Sequence, residues 1–168
     1  KCGNPQKNLN FIQVAGTNGK GSVCAILEKI YRTAGYKTGL FTSPRLNRLN
    51  ERIRINGIAI DVNEIFQFLN KHGRGVIRTD ASFFETITAL GFWVFQKESV
   101  QIAIMETGLG GRLDSVTACV PKVTVMTKIS IDHIEILGNS LKKIAFEKAG
   151  VFKPHIPCFS SPQTAVVE

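Results

Sequence analysis

A short glycine-rich segment near the amino end constrains this chain more than any other feature. The segment Gly-Thr-Asn-Gly-Lys-Gly-Ser (16–22) follows an apolar run at 11–14 and precedes residues 22–34, whose apolar positions have helical spacing. A strand, a glycine loop and a helix in this order are typical of a phosphate-binding loop, because glycines let the backbone approach an anion and the helix start presents free amides to it. The alternative interpretation is an ordinary glycine-rich turn between a strand and a helix.

The composition of this loop predicts how it contacts a nucleotide. We expect the Lys20 ammonium to neutralise the β- and γ-phosphate oxygens of ATP, and the Ser22 hydroxyl to lie near the accompanying metal ion. The loop departs from the common pattern because Gly21 follows the lysine where Ser or Thr is usual. The predicted ATP-binding residues are Gly16, Thr17, Asn18, Gly19, Lys20, Gly21 and Ser22.

Apolar runs and helical patterns alternate along the rest of the chain, and Asn56-Gly57 indicates a hairpin. This alternation predicts an α/β fold with a mostly parallel sheet flanked by helices, in which ligands bind beyond the carboxyl ends of the strands. With 168 residues, the chain is expected to form one domain. The predicted segments are strands at 11–14, 37–42, 100–105, 122–126 and 156–159, and helices at 22–34, 62–71, 82–96 and 140–149.

The charge of the chain is strongly basic but dispersed. A formal net charge of +8 suits a phosphate-rich small substrate as well as a nucleic acid. The sequence has no long Lys/Arg tract and no recognisable RNA- or DNA-binding motif, so a nucleic-acid-binding module is the weaker alternative and we expect no nucleic-acid partner. The densest basic group is Arg45, Arg48, Arg52 and Arg54.

The apolar runs and the cysteines indicate the setting of the protein. The runs are interrupted well before the ~20 residues that a membrane span needs, so we expect no membrane partner. The cysteines are scattered and form no Cys-x-x-Cys pair, which favours buried, reduced thiols in the cytoplasm over a disulfide framework or a zinc site. They are Cys2, Cys24, Cys119 and Cys158.

Residues suited to a cation follow two of the predicted strands. Glu106 follows the apolar run 100–105 and directly precedes a glycine-rich turn, where a carboxylate can reach a magnesium ion that bridges ATP phosphates. The alternative interpretation is a solvated glutamate at a strand end. His133 follows another strand, although a lone histidine is more often structural than a ligand. Ser43, by itself, is typical of a turn before Pro44.

Two further segments have an ordinary structural interpretation. Ser82 and Glu85 have the spacing of a capping box at a helix start, and at least one of Phe83 and Phe84 is expected in the core. Lys148, beside a glutamate in a helical pattern, is typical of a solvent-facing lysine.

Motifs in one particular order cover nearly the whole chain. They are Gly-Thr-Asn-Gly-Lys-Gly-Ser (16–22), Thr-Ser-Pro (42–44), Asn-Glu-Arg-Ile-Arg-Ile-Asn-Gly (50–57), Glu-Thr-Gly-Leu-Gly-Gly-Arg-Leu-Asp (106–114), Ile-Asp-His (131–133) and Glu-Lys-Ala-Gly-Val-Phe (147–152). In this order they resemble the Mur-type ligases, and especially their folate branch, the folylpolyglutamate and dihydrofolate synthases. The chain departs from that branch at Arg45, where His is common, and at Ser-Val-Thr (115–117), where Ala-Thr-Asn is usual.

The resemblance implies a role for each matching residue. It implies magnesium binding by Ser43, Glu106 and His133, and it suggests that Lys148 carries a carbamate whose oxygens suit a second magnesium. The catalytic residues that it implies are Lys20, Glu106, His133 and Lys148. The implied substrate contacts are Ser82, Phe83, Phe84, Glu85, Arg112 and Asp114.

The activity implied by the resemblance is ATP-dependent joining of L-glutamate to the carboxylate of a folate or a dihydropteroate, through an acyl phosphate. We expect residues 1–168 to be a single, incomplete ATP-binding domain without the C-terminal ligase domain, inactive alone and monomeric. The expected location is the cytoplasm, or an organelle in a eukaryote. The alternatives are a Mur-type ligase acting on a cell-wall precursor and a phosphate-loop protein that is not a ligase.

Overall fold

The computed structural model describes residues 2–43 and 48–167, so Pro44 and Arg45 lie outside the described residues. The strands are β1 (Phe11–Ala15), β2 (Thr38–Phe41), β3 (Ile53–Ile55), β4 (Ile58–Ala59), β5 (Ile102–Glu106), β6 (Val123–Met126) and β7 (Cys158–Ser160). The helices are α1 (Lys20–Thr33), α2 (Val62–Arg78), α3 (Phe83–Lys97), α4 (Ile134–Leu137) and α5 (Leu141–Ala149).

The strands form one sheet in the order β4-β3-β2-β5-β1-β6-β7. Strands β2, β5, β1, β6 and β7 run parallel, and β3 and β4 add an antiparallel hairpin at one edge. The hairpin turns at Asn56-Gly57, both with positive φ, as a tight two-residue turn requires. The predicted mostly parallel α/β fold is therefore confirmed.

Helices cover both faces of the sheet, which explains why β1 is buried along its whole length and β5 is apolar without alternation. Phe11 packs with Phe95 and Met105 on the face covered by α3. On the opposite face Val14 packs with Cys24 of α1.

Helix α2 is longer than the 62–71 segment predicted from the pattern, because it continues to Arg78. Gly73 and Gly75, which are poor helix formers, made an earlier end plausible. Tertiary packing overrides this weak local preference, since Phe68 is buried and Val76 packs against the same core cluster. No helix among the described residues is long and apolar enough to cross a membrane.

The cysteine prediction is correct in part. Cys24 and Cys119 are buried free thiols, and Cys2 and Cys158 are also free. The predicted burial of Cys158 is wrong, because β7 is the last strand of the described sheet and all of its residues are exposed.

Candidate functional site: a phosphate loop beside a cavity

The phosphate loop leaves β1 through a glycine that no other residue could replace without strain. Gly16 has φ +135°, and a Cβ placed there would lie 1.9 Å from Thr127 Oγ1. Gly19 has φ +85° and is the N-cap of α1. The loop therefore turns tightly into a helix N-terminus, as the sequence predicts.

Backbone contacts hold the loop in place from the side of β6. The Thr17 amide donates to Lys128 O at 2.9 Å. The Thr17 hydroxyl donates to Ser130 O and accepts from the Ser130 amide, each at 3.1 Å. The first helical bond of α1 runs from Val23 N to Gly19 O. The amides of residues 20–22 therefore precede the helical ladder and face the open end of the helix, where an anion is stabilised.

Lys20 lies across this loop. Its ammonium donates to Thr17 O at 3.0 Å and is only partly buried. A flexible cation held by one carbonyl at the mouth of an anion site can move onto a phosphate when one binds. This placement agrees with the predicted role of Lys20.

Glu106 faces the loop from the end of the neighbouring strand β5. It is 3 % exposed, and its Oε2 accepts from the Ser43 amide at 2.9 Å. A Cβ on Gly21 would lie 3.6 Å from this carboxylate, so the unusual glycine leaves open the space between the helix start and Glu106. Burial raises the pKa of Glu106, and the Ser43 amide and the charges of Lys20 and Arg52 oppose that rise.

Arg52 contributes a positive charge beside Ser43 and Glu106. From the sequence it is recognisable only as a member of the densest basic group. Its Nη1 donates to Ser43 Oγ at 3.2 Å, and the residue is 9 % exposed. The Arg52 guanidinium also lies 5.8 Å from the centroid of the Phe83 ring. Only the tertiary structure shows that the segment at 50–54 reaches Ser43.

The oxygen donors around Glu106 fit a magnesium ion, which prefers carboxylate, hydroxyl and phosphate oxygens. The Glu106 carboxylate and the Ser43 hydroxyl supply such atoms on the same side of the phosphate loop. Residues 2–43 and 48–167 contain no group of three or more His, Cys, Asp or Glu side chains that could hold a metal by themselves. A magnesium ion here would take its remaining ligands from nucleotide phosphates and water.

His133 stands further out on the other side of the loop. It caps α4 with φ +47°, its side chain is 54 % exposed, and its Nε2 lies 3.6 Å from Asp132 Oδ2. The contact of Ser130 with Thr17 fixes its segment beside the phosphate loop. Its role as a metal ligand stays a prediction.

Lys148 is buried, contrary to the simple interpretation of a solvent-facing lysine. It is 3 % exposed, and its Nζ donates to Gly16 O at 2.8 Å. Burial is the main cause that lowers the pKa of Lys148 to about 8; the charge of Lys20 adds to it, and Asp132 and Asp114 partly offset it. An amine of this kind is neutral far more often than an ordinary lysine, and therefore more nucleophilic.

A cavity of about 530 Å³ adjoins Ser43 and the glycine turn after β5. This volume lies within the range of sites for small molecules. Phe83 does not line it: its side chain is 58 % exposed and packs against Arg52. The predicted site residues that do line it are Ser43, Ser82, Phe84, Glu85, Arg112 and Asp114.

Two of the lining residues carry polar groups that are already engaged. The Asp114 carboxylate accepts from the amides of Gly108, Leu109 and Val116 at 2.8–2.9 Å, so it holds the turn in shape. Burial raises the pKa of Asp114 despite these bonds. Arg112 binds Glu147 of α5 through two nitrogens, at 2.9 and 3.2 Å. Direct substrate contacts by Asp114 and Arg112 stay predictions.

At the start of α3, the predicted capping box is present. The Ser82 hydroxyl accepts from the Glu85 amide, and the Glu85 carboxylate accepts from the Ser82 amide at 2.7 Å. Phe84 is half-buried, packs on Phe41, and lies so close to Gly108 that a Cβ there would meet its ring at 2.4 Å. The expectation that one phenylalanine serves the core is therefore confirmed for Phe84.

A strand, a glycine loop, an open helix N-terminus and a carboxylate on the neighbouring strand end together define a phosphate-loop nucleotide-binding domain. Residues 14–159 match the Mur ligase middle domain. The chain therefore belongs to the Mur ligase middle-domain family, which confirms the resemblance found in the motifs.

The chain is also similar to proteins named folylpolyglutamate synthase or dihydrofolate synthase. It is 44 % identical to an Arabidopsis thaliana folylpolyglutamate synthase and 43 % identical to a Bacillus subtilis dihydrofolate synthase/folylpolyglutamate synthase, each over 164 residues and 94 % of this chain. A solved FPGS–AMPPCP–folate complex superposes with a TM-score of 0.90 at 37 % identity, over 99 % of this chain. The chain spans 26 %, 38 % and 43 % of the lengths of these proteins.

Proposed function

We propose that the protein is an ATP-dependent ligase that adds L-glutamate to the carboxylate of a folate or a dihydropteroate. The observation that carries this proposal is that Ser43 lines a substrate-sized cavity and also donates to Glu106, whose carboxylate faces Gly21 of the phosphate loop. The solved relative contains AMPPCP and folate together, which fits a site with two adjoining compartments.

The chemistry that fits this arrangement is activation of a carboxylate. A carboxylate oxygen of the acceptor attacks the γ-phosphorus of ATP, the bond to ADP breaks, and an acyl phosphate forms. The glutamate amine then attacks the acyl carbon, loses a proton and displaces inorganic phosphate. Lys20 and the amides of residues 20–22 offset the negative charge that gathers on the transferred group, which is the main requirement of phosphoryl transfer.

We further propose that magnesium binds with ATP through Glu106, Ser43 and His133. Bound there, the ion would neutralise phosphate charge that Lys20 alone cannot. Glu106 is suited to this task because it is buried, already oriented by the Ser43 amide, and open towards Gly21.

Carbamylation of Lys148 is the finer part of this proposal. The neutral Lys148 amine attacks carbon dioxide and releases a proton, which leaves an anionic carbamate whose oxygens can bind a second magnesium. Burial and the lowered pKa of about 8 support the reaction, because only the neutral amine reacts. We expect Lys148→Ala to be inactive and partly rescued by short carboxylates, and ¹³C-bicarbonate to give a carbamate NMR signal that the variant lacks. Full activity of Lys148→Ala without rescue would contradict this role.

We propose that the intact protein is a monomer, since the proposed phosphate, metal and acceptor residues all lie in one chain. Its proposed location is the cytoplasm, or an organelle in a eukaryote. Because relatives are much longer, we also propose that residues 1–168 act as a single nucleotide-binding unit that binds ATP weakly and does not ligate by itself. Light scattering of the intact protein tests the first statement. ATP binding and glutamate incorporation by residues 1–168 test the second.

The deciding experiment measures ATP-dependent glutamate incorporation by the intact protein, with dihydropteroate and tetrahydrofolate as separate acceptors. We expect incorporation with at least one acceptor, and its loss in Lys20→Ala and Glu106→Ala. Tight magnesium-ATP binding without incorporation into either acceptor would refute the folate assignment and favour a Mur-type ligase with another carboxylate substrate.

A further inference from the structure

An amide side chain lies in the middle of the sheet, where none is needed for the fold. Gln13 is in the central strand β1 and is fully buried. Its register partner on β5 is Met105, and Phe11 of the same strand belongs to the main apolar cluster. A buried amide is costly unless its polar atoms are hydrogen-bonded, so an apolar residue of similar size would suit this position better for stability alone.

The amide nitrogen is the start of a directed chain of hydrogen bonds. Gln13 Nε2 donates to Thr117 Oγ1 at 2.9 Å, and Thr117 Oγ1 donates to Gly111 O at 2.7 Å. A hydroxyl has one hydrogen, and here Gly111 takes it, so Thr117 must accept from Gln13. The chain therefore links the sheet centre to the glycine turn.

The turn is confined at the point where this chain ends. A Cβ on Gly111 would lie 2.6 Å from Lys148 O and 2.8 Å from Val151 Cγ1, so α5 presses against it from one side. Thr117 holds its carbonyl from the other side. Residues 108–115 around it line the cavity proposed for the acceptor.

The oxygen of the same amide shows that the arrangement is not optimised for stability. Gln13 Oε1 and Thr124 Oγ1 are both buried without a hydrogen-bond partner in the described part of the chain. The two residues are register partners on adjacent strands, so their side chains share one face of the sheet. Local violations of core packing rules concentrate where function requires them.

We propose that Gln13 is a positioning residue for the acceptor cavity, which fixes the turn at residues 108–114 through Thr117 and the Gly111 carbonyl. This inference rests on the proposed function for the identity of the acceptor, but not for the positioning itself. Gln13 lies beneath the phosphate loop on the same strand and is directed away from the loop, towards the turn. Its loss therefore affects acceptor binding and not nucleotide binding.

The test compares Gln13→Met and Thr117→Val with the wild type, all as intact protein. Both variants keep the side-chain volume and remove one link of the chain. We expect the KM for the acceptor to rise about tenfold while the KM for ATP changes less than about twofold, since misplaced binding groups weaken only the ligand they contact. Thr117→Ser, which retains the hydroxyl, should have the wild-type KM for the acceptor. Thr124→Val is the matched control in the same core, with both KM values unchanged.

Hydrogen exchange of the segment 107–115 provides a readout that does not depend on the ligase reaction. Exchange should be faster in Gln13→Met and Thr117→Val, and unchanged in Thr124→Val. Unchanged exchange in folded Thr117→Val would overturn the proposal even if the wild type is a folate ligase. Equal losses for ATP and acceptor would also overturn it, because they indicate a general loss of structure. If exchange is faster in the two variants but the wild type ligates no folate, the proposed function alone is refuted.

Discussion

At the scale of single residues, burial decides the chemistry more than identity does. Lys20 lies in the phosphate loop and Lys148 contacts it. Lys148 is buried and donates to Gly16 O, whereas Lys20 is partly exposed. The pKa of Lys148 is lowered to about 8 because burial removes water from its charged form and the charge of Lys20 adds to this effect, which Asp132 and Asp114 offset only in part. One lysine thus suits phosphate binding, and the other suits reaction as a free amine.

A stability measurement tests the burial of Lys148. The folded-state pKa of about 8 lies below the ordinary 10.5, so the folded protein bears the full cost of the buried charge below pH 8 and progressively less up to pH 10.5. Lys148→Met should therefore raise the free energy of unfolding at pH 7 by about 2 kcal/mol, after loss of the Gly16 contact is subtracted. Denaturation in CO₂-free buffer measures this gain, which should shrink above pH 8 and disappear before pH 10.5, where only the loss of the Gly16 contact remains. A Lys148→Met variant that is less stable at pH 7 would contradict the assigned cost.

At the scale of elements, helix starts and turns determine where the site residues point. The capping box fixes the first turn of α3 and with it the cavity wall formed by Ser82, Phe84 and Glu85. The glycine turn after β5 is held by the Asp114 carboxylate within the turn and by the Arg112–Glu147 pair to α5. Each of these elements uses a polar side chain to satisfy backbone groups that regular structure leaves free.

Removal of the cap should weaken α3 by a measurable amount. Ser82→Ala loses the bond to the Glu85 amide, so we expect the protein to be destabilised by about 1 kcal/mol. Ser82→Asp keeps an acceptor at the same place and serves as the control, with stability close to that of the wild type. Urea denaturation distinguishes the two variants, and equal stability of Ser82→Ala and the wild type would show that the cap contributes nothing.

At the scale of the whole molecule, the parallel sheet gathers the site from distant segments. The phosphate loop follows β1, Ser43 follows β2, Glu106 ends β5, and the segment of His133 follows β6. These strands are neighbours in the sheet, and their carboxyl ends meet at one edge. Nucleotide binding should therefore stabilise the fold as a whole.

This linkage can be measured as a thermal shift. Magnesium-ATP at 100 times its Kd should add about 2.7 kcal/mol to the free energy of unfolding, because only the folded protein assembles the site. The shift should be small in Lys20→Ala, whose unliganded stability should match the wild type, since Lys20 is partly exposed and bonds only one carbonyl among the described contacts. A full shift in Lys20→Ala would refute its role in phosphate binding.

The sequence by itself determined the features that depend on near neighbours along the chain. The order of the strands and of the longer helices, the phosphate loop, the hairpin at Asn56-Gly57 and the capping box at Ser82 all follow from periodicity or from residues a few positions apart, whereas the short helix α4 was not predicted. The motifs also sufficed to indicate the family, because their order is independent of how they meet in space.

The tertiary structure alone decided which side chains are buried and what they contact. The bond of Glu106 to the Ser43 amide spans 63 positions, that of Lys148 to Gly16 spans 132, and that of Gln13 to Thr117 spans 104. No local pattern encodes such pairs, since they depend on how helices pack against the sheet. For the same reason the sequence favoured an exposed Lys148 and a buried Cys158, and the packing of α5 and the edge position of β7 reversed both.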